Sequence, residues 1–365
     1  MAYPTLNPNE IFAPLFNQII SQEVFSDNLA GGVGSELVDM ARVDGSMYGD
    51  TKLYYATKPL FSSKWGNDAE AEKLLKVARP EAPETQAIQL NIFRQIKLTT
   101  DQYLTKRAWG SVDSFSSFNS IMTGWIKDTK RIYDATTYNA FIGTVTSPLP
   151  LDKTKQNQTI KVTEAVGSAT GEEAARLEGA AIAEGVAKLL VNLKDITEDY
   201  NDYGILRSYN PKDLIFVWNS DAMAKVETRD LPTIYHKDII DRLGEYVLPA
   251  RYFGNVNTGV TQGNGTTVRS LVEQVVSKAS SPDVHVFAGQ LIPNGYSAPA
   301  GTSYTVDSSI LFKVFHKKSV PFMSAFEVGT SFFNSASLTD TNFLTWGHNT
   351  LTYLKNYPCV TVKKA

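Results

Sequence analysis

The sequence predicts a mixed α+β fold in which helices and strands are interspersed. Three patterns predict this class: a run of alternating apolar and polar residues from Ile88 to Leu98, a long amphipathic helix from Ser111 to Phe141, and later helices and strands without a regular βαβ repeat. The chain has 365 residues, of which 42% are hydrophobic, so it can bury a sizeable core. Its length allows two domains, or one domain with large extensions.

Composition narrows the classes of protein to consider. The net charge is -3, with 35 basic and 38 acidic residues, and this balance disfavours a dedicated nucleic-acid binder. The single cysteine, Cys359, excludes an intrachain disulfide, so a reducing cytoplasm is the expected folding compartment. We find neither a signal-peptide pattern at the N-terminus nor an apolar run of ~18 residues, so no membrane association is predicted.

Residues 1–45 are predicted to form an arm around one short helix. Ile11, Phe12, Leu15 and Phe16 begin an apolar stripe at helical spacing, and a glycine-rich break follows at residues 31–34. An apolar helix before such a break is typical of an arm that packs on another subunit.

The next segment is predicted to be a long β-arm. The β-prone stretch from Lys52 to Phe61 and the alternating run from Ile88 to Leu98 form its two strands, and Ser62 to Glu84 is a polar insertion between them. Because long exposed strands invite pairing with another chain, we expect the arm from Lys52 to Leu98 to pack mainly on other subunits.

Basic residues cluster in this arm, and they have two interpretations. The cluster consists of Lys58, Lys64, Lys73, Lys76 and Arg79. Such residues can contact nucleic acid without sequence preference, or they can keep an exposed strand from aggregating. The second interpretation is favoured by the near-neutral overall charge.

The helix from Ser111 to Phe141 is predicted to bury one apolar face. Asp113 is its candidate N-cap, and Gly143 is expected to end it. On this pattern Trp125 lies on the buried face, whereas Lys127 and Lys130 lie opposite, in solvent.

The remaining chain predicts further helices and strands. A second long helix begins with a capping box formed by Thr170 and Glu173, and Ala175, Gly179 and Ala183 give it a face of small residues. The other predicted elements are a buried strand from Asp213 to Trp218, a helix from Asp238 to Leu248, a surface loop from Gly254 to Thr267, and strands at Val284 to Phe287, Ile310 to Phe315, Phe322 to Glu327 and Thr350 to Val362.

No motif of enzyme or cofactor chemistry emerges. The four histidines are widely separated, the glycine runs lack the lysine of a phosphate-binding loop, and no nucleophile elbow is present. The sequence therefore predicts no catalytic, cofactor-binding or metal-ligating residues and no cofactor, and the chain is not expected to be an enzyme.

The order of these parts resembles one known family. An N-terminal arm, a β-hairpin arm, a long helix and a mixed α+β domain ending in a strand are similar to the Hong Kong 97-type (HK97-like) fold of tailed-phage major capsid proteins. Within it, Trp109 to Phe115 and Tyr133 to Asn139 resemble the capsid proteins of small phi-29-like podophages.

The resemblance implies a domain plan. Residues 1–45 would be the N-arm, 46–108 the E-loop hairpin, 109–150 the peripheral (P) domain with its spine helix, 151–340 the axial (A) domain, and 341–365 the return strands of the P-domain. Inter-subunit contacts are then expected from ten residues: Ile11, Phe12, Leu15, Phe16, Lys58, Lys64, Trp65, Ile88, Leu90 and Ile92.

The resemblance also implies a function. The chain would self-assemble into pentamers and hexamers that close an icosahedral shell around double-stranded DNA. Its partners would be copies of itself, a separate scaffolding protein, a portal protein at one vertex and, non-specifically, the packaged DNA. It would reside in the virion capsid after assembly in the cytoplasm of the bacterial host.

Two alternatives remain open at the level of sequence. An encapsulin-like nanocompartment shell would share the fold and carry cargo instead of a genome, although the long N-arm and the large E-loop insertion disfavour it. A soluble α+β hydrolase would need a site assembled from residues that are distant in sequence.

Overall fold

The computed structural model describes residues 35–45, 49–62, 77, 79–101, 112–150, 153–229, 244–257, 270–297 and 303–365. The chain divides into two compact units. Among the described residues, the first unit takes residues up to Asp50, Gln89–Tyr138 and Phe322–Thr350. The second unit takes Thr51–Ile88, Asn139–Pro321 and Leu351–Ala365.

Helices and strands are interspersed along the chain, and the predicted α+β class is confirmed. The helices are α1 (Ser35–Met40), α2 (Val112–Thr144), α3 (Val162–Val166), α4 (Gly171–Lys194) and α5 (Ser220–Arg229). The strands are β1 (Arg42–Asp44), β2 (Thr51–Ala56), β3 (Glu84–Asp101), β4 (Asn157–Ile160), β5 (Leu214–Asn219), β6 (Gly244–Leu248), β7 (Gly254–Asn257), β8 (Gln274–Lys278), β9 (Ser281–Val286), β10 (Ser303–Val306), β11 (Ile310–His316), β12 (Phe322–Asn334), β13 (Thr339–Asn349) and β14 (Cys359–Lys364).

Strand β3 carries the predicted alternation over 18 residues. Even-numbered positions from Gln86 to Thr100 are mostly buried or half-buried, and the odd-numbered ones are mostly exposed. The strand lies in a sheet of order β1-β12-β13-β3-β2, and its residues from Leu90 to Asp101 pair antiparallel with β13 of the same chain. The prediction that the whole arm packs mainly on other subunits is therefore wrong for this strand, because alternation reveals one buried face without revealing which chain buries it.

Helix α2 differs from the prediction in its bounds and in its buried side. It begins at Val112, so Asp113 lies inside it, and it continues through Gly143 to Thr144. Gly143 is required there by close packing, since a Cβ atom on it would lie 2.0 Å from the carbonyl oxygen of Tyr252. Trp125 is 42% exposed, whereas Lys130 is buried, which reverses the two predicted positions.

The first unit has a small core between its helix and its sheet strands. Leu90, Met323 and Ala325 form an apolar cluster with Phe93. Nearby, the ring of Phe322 stacks on His348 and meets the edge of Tyr138, at centroid distances of 5.5 and 6.3 Å. Aromatic pairs in these geometries add to the stabilisation from burial.

The second unit is built on a sheet of order β4-β14-β11-β5-β6. All six residues of β5 are buried, as are six of the seven in β11, which is expected of central strands covered on both faces. Helix α4 packs its small and apolar face on this core, which includes Ile182, Leu189 and Leu193. The predicted strand from Asp213 to Trp218 is thus confirmed with a shift of one residue.

Several local predictions are wrong in this unit. Thr170 is the N-cap residue of α4, but its side chain makes no capping hydrogen bond. Residues Gly244–Leu248, predicted as part of a helix, form strand β6, and Gly254–Asn257, predicted as loop, form β7 and pair with β10. Cross-strand pairing supplies backbone partners that the local sequence does not reveal.

Strand bounds near the C-terminus also differ. The predicted strand from Phe322 to Glu327 continues to Asn334 as β12, and it pairs with β13. The predicted strand from Thr350 to Val362 begins only at Cys359. Residues 350–358 instead form an irregular connection whose Leu354 and Lys355 amides donate to the backbone of Ser319 and the side chain of Gln86.

Candidate inter-subunit surface

The structure divides the ten predicted contact residues into three groups. Ile11, Phe12, Leu15, Phe16, Lys64 and Trp65 lie outside the described residues. Lys58 is exposed and forms an ion pair with Glu81, at 2.9 Å. Ile88 and Leu90 are only 3% and 1% exposed within their own chain, and Ile92 is half-buried. The assignment of Ile88 and Leu90 to an inter-subunit contact is corrected, because the chain's own core already covers their side chains.

Exposed apolar side chains instead gather along β2 and the segment after it. We define the β2 surface as Leu53, Tyr55, Leu60, Phe61 and Val77, all of which are exposed; Phe61 is 98% exposed. Leu53 and Tyr55 project from the same face of β2, since side chains two residues apart share a face. Scattered exposed apolar residues are ordinary, but Leu53 and Tyr55 lie on an edge strand, where exposed apolar side chains are typical of an interaction surface.

A second apolar surface lies at the end of the β12–β13 hairpin. We define the hairpin surface as Val328, Phe332, Phe333 and Leu338. Phe332 and Phe333 project from opposite faces of β12, yet they are 64% and 46% exposed, so the described part of the chain covers neither face there.

Among the described strands, none covers the outer edge of β12 along most of its length. Strand β1 pairs only with Phe322 to Ser324, and no described strand pairs with that edge from Ala325 to Asn334. Unpaired strand edges are templates for pairing with another chain. Apolar side chains and an open edge therefore coincide on this hairpin.

An ion-pair network fixes the base of this hairpin on helix α2. Lys130 donates to Glu327 at 2.6 Å, and Asp134, one turn further along the helix, pairs with Arg42 at 3.3 Å. Burial raises the pKa of the Asp134 carboxyl, and the charges of Lys130 and Arg42 oppose that rise. Charged groups thus join the helix to β12 and to the segment that carries β1.

A chain of hydrogen bonds fixes the helix on β3 and β13. Arg94 donates to the Tyr133 hydroxyl at 3.0 Å, and that hydroxyl lies 3.0 Å from Nε2 of His348. Nδ1 of His348 lies 2.9 Å from the Asn349 carbonyl, which assigns the ring proton to Nδ1 and leaves Nε2 to accept. Burial lowers the pKa of His348, so the neutral ring that this chain requires is favoured.

The described residues contain no group of three or more metal-ligating side chains close enough to hold an ion. Among those residues, no helix has the length and apolarity needed to cross a membrane. The features that stand out are apolar surfaces and open strand edges, which suit association between protein chains.

Comparison with known proteins gives the identity of the family. The model of the family Phi29-like phage major capsid protein matches residues 3–360, which is nearly the whole chain. The chain belongs to this family. As a phage major capsid protein it is a structural component of the virion capsid, and the predicted function at this level is confirmed.

Chains from solved phage structures have a fold similar to that of this protein. A chain from the capsid structure of Staphylococcus phage Andhra aligns with a TM-score of 0.61 at 10% identity, covering 94% of this chain and 87% of that one. A chain from the structure of the head fiber and inner core protein gp22 of native bacteriophage P68 aligns with a TM-score of 0.58 at 12% identity, covering 95% and 88%. No curated protein matches the sequence significantly. The Hong Kong 97-type fold expected from the order of elements is consistent with these matches.

The sequence predicted an interaction role for the segment that carries the β2 surface, but not the residues that form this surface, and it did not predict the hairpin surface. The β2 surface lies within the arm predicted from Lys52 to Leu98, but the contact residues predicted there included Lys58, Ile88 and Leu90 and none of the residues of this surface. The hairpin surface was missed because Phe332 and Phe333 stand among serine, threonine and asparagine, which favour loops. Two adjacent aromatic residues in a polar stretch were the one signal that could have found it.

Proposed function

We propose that this capsid protein forms pentamers and hexamers that close an icosahedral shell around double-stranded DNA. Each subunit would contribute modest apolar burial and edge pairing, and many such contacts add up over a closed shell. The observation that carries the proposal is the hairpin surface, where exposed aromatic side chains accompany an open strand edge.

The pentamers and hexamers of a shell are rings of subunits. A ring forms when one patch of each subunit contacts a different patch of the next subunit and the rotation closes. The β2 surface and the hairpin surface are different in sequence and in strand, so a contact between them would be head-to-tail. Head-to-tail contacts close into rings when the rotation per subunit divides the circle. Such a head-to-tail contact would suit rings of five and six subunits and not two-fold dimers.

The remaining parts of the proposal follow from the family. The plan of an N-arm (1–45), E-loop (46–108), P-domain (109–150), A-domain (151–340) and return strands (341–365) would apply. A separate scaffolding protein, a portal at one vertex and non-specific contact with packaged DNA would complete the assembly in the bacterial cytoplasm. The protein would act structurally and not as an enzyme.

The first test is assembly itself. The full-length chain, expressed alone and with a scaffolding candidate, should give closed isometric particles by negative-stain electron microscopy. Subunits that stay monomeric in both cases, at all protein concentrations and salt conditions, would contradict the proposal.

The second test concerns the hairpin surface. The double variant Phe332→Ser, Phe333→Ser should fold with an unchanged circular dichroism spectrum and melting temperature, because both side chains are exposed, yet it should form few or no particles. Ile196→Ser, at an exposed apolar residue elsewhere, is the matched control and should assemble normally. Normal particles from the double variant would exclude the hairpin surface from the subunit contacts.

A further inference from the structure

Basic side chains gather at one end of the sheet in the second unit, where β11 ends between the starts of β5 and β14. The amide of Lys317, just after β11, donates to the carbonyl of Asp213, just before β5, at 2.9 Å. The ring of His316, the last residue of β11, stacks on Tyr357, two residues before β14, at a centroid distance of 4.4 Å. Three segments of the chain therefore meet at this end of the sheet.

A fourth segment adds an arginine whose side chain is held in place. The guanidinium of Arg207 lies over the Tyr357 ring, 5.3 Å from its centroid, and donates to the carbonyl of Asn356 at 2.9 Å. An arginine side chain has five N–H donors, and among the described residues only this carbonyl accepts from Arg207. The remaining donors are available to a ligand that offers paired oxygens, as a phosphate group does.

Positive charge exceeds negative charge at this surface. We define the basic patch as Arg207, Lys212, Lys317, Lys318 and Lys355, of which the four lysines are exposed and the arginine is half-buried. Lys212 and Lys355 adjoin Asp213 and Asn356 in sequence. Within the described part of the chain, the one ion pair of this set joins Lys317 to Asp213 at 3.9 Å, and both side chains are nearly half exposed, so the pair is weak. The other four cations have no described carboxylate partner.

The surroundings of His316 show that these charges lie close together. Burial lowers the pKa of His316, and the charge of Asp213 opposes that shift. The charges of Lys318, Arg207 and Lys317 lower the pKa further. Three cations and one carboxylate thus act on a single ring, and the patch keeps a net positive charge.

The density of this charge distinguishes between two kinds of acidic partner. Double-stranded DNA carries one phosphate charge per ~1.7 Å of its axis. An extended acidic peptide presents a side chain to a given face only at every second residue, which is about 7 Å. A compact patch of unpaired cations fits the denser polyanion better, because each phosphate that it neutralises releases a condensed counterion and adds to the affinity.

We propose that the basic patch contacts the phosphates of the double-stranded DNA that the shell encloses. This inference rests on the proposed function and adds to it the residues through which a subunit contacts DNA. Arg207 binds a phosphate in a fixed orientation, and the exposed lysines contact neighbouring phosphates without reading the base sequence.

The test is fluorescence anisotropy of a fluorescein-labelled duplex of about 20 base pairs, titrated with the unassembled full-length subunit at several salt concentrations. The logarithm of the binding constant should fall linearly with the logarithm of the salt concentration. The double variant Lys317→Ala, Lys318→Ala should reduce the magnitude of this slope by about 2 and weaken binding equally for duplexes of different sequence.

A double variant with the same loss of charge is the control. Lys161→Ala, Lys188→Ala removes two exposed lysines that pair with Glu164 and Glu184, at 2.6 and 2.5 Å, and it should leave the slope unchanged. Circular dichroism of both double variants reports folding, and light scattering reports particle formation. A failure of DNA contact is thereby distinguished from a failure of assembly.

Three outcomes would overturn the proposal. The first is the same slope for the wild type and for Lys317→Ala, Lys318→Ala. The second is displacement of the duplex by poly-glutamate at an equal concentration of charge, which would make an acidic protein the occupant. The third is a slope that falls only when Lys64 and Lys73 of the predicted arm are replaced by alanine, which would assign DNA contact to the arm.

Discussion

Lys313 is a buried lysine in the centre of strand β11. Its side chain is fully buried, and its amino group donates to the carbonyl of Val145, just past the end of α2, at 2.6 Å. Burial lowers the pKa of Lys313 to about 7. Charged and titratable groups that act on it are Cys359, Lys363 and Asp307.

This lysine predicts a dependence of stability on pH. The pKa of Lys313 is lower in the folded state than its ordinary value of 10.5, so between about pH 7 and 9 the unfolded state binds more protons. The free energy of unfolding should therefore rise with pH across this window, by at most about 1.4 kcal/mol per pH unit from this group. Below pH 7 both states are protonated and the contribution of Lys313 becomes constant.

The measurement is urea unfolding at several pH values. Lys313→Met should remove the rise between pH 7 and 9 and increase stability at pH 7, whereas Lys212→Met, at an exposed lysine, should keep the wild-type slope. An unchanged slope in Lys313→Met would show that other groups set the pH dependence.

Substitution of two lysines that lie three residues apart on α2 should have very different effects on stability. Lys130→Ala removes the buried partner of Glu327 and one of the two cations near the buried Asp134, so it should destabilise the subunit by about 2 kcal/mol. Lys127→Ala, at an exposed position, should change stability by less than about 0.5 kcal/mol. Thermal and urea unfolding of both variants would decide, and equal effects would contradict the observed orientation of the helix.

Helix α2 contains two glycines, Gly143 and Gly124, whose replacement by alanine should change stability in opposite directions. Gly143 meets the backbone of Tyr252, which cannot move aside cheaply, while nothing lies within 4 Å of the position of a Cβ atom on Gly124. Gly143→Ala should therefore destabilise the subunit by about 3 kcal/mol. Gly124→Ala should stabilise it by about 0.5–1 kcal/mol, through the better helix propensity of alanine.

Unfolding in urea, followed by circular dichroism, measures both changes. A stable Gly143→Ala variant would mean that the helix end and the turn at Tyr252 can separate without loss.

The elements that sequence predicted well have periodic patterns of their own. The alternation in β3 and the apolar repeat in α2 are local signals, and both elements exist close to the predicted bounds. Strand β6 and the far half of β12 have no such signal, because they depend on pairing with β5 and β13.

The buried side of α2 shows a second limit of predicting structure from the sequence pattern. Around Tyr133, Asp134 and Ala135, three successive residues are buried, so this part of the helix is enclosed on more than one side. Trp125, by contrast, is exposed. A protein that buries apolar residues both in its core and between subunits carries two apolar patterns, and a single sequence does not separate them.

At the scale of the whole molecule, the reactivity of the Cys359 thiol should report whether the subunit is folded. It is the only cysteine of the chain and is buried, and burial raises the pKa of its thiol to about 12. Thiol reagents should therefore label the native subunit only as fast as it unfolds, and urea should accelerate labelling in step with the unfolding transition. Absorbance with a disulfide reagent measures this; rapid stoichiometric labelling in buffer would contradict it.

The same residue predicts the response of assembled particles to reductant. A lone buried thiol forms no covalent link between subunits, so light scattering of particles should be the same with and without dithiothreitol. Particles that dissociate on reduction would require Cys359 to be accessible.

The pairing of β7 with β10 has a consequence for redesign of this capsid protein. Asn257 lies opposite Ser303 in register, so the chain leaves the strand pair and returns to it at neighbouring positions. Between them, Val276, Val286 and Ile292 form a small core of their own. Residues 258–302 therefore occupy a natural insertion point, at which a foreign domain whose termini lie about 5 Å apart could replace them without altering the paired strands. Every copy of the chain would offer this position to an added domain.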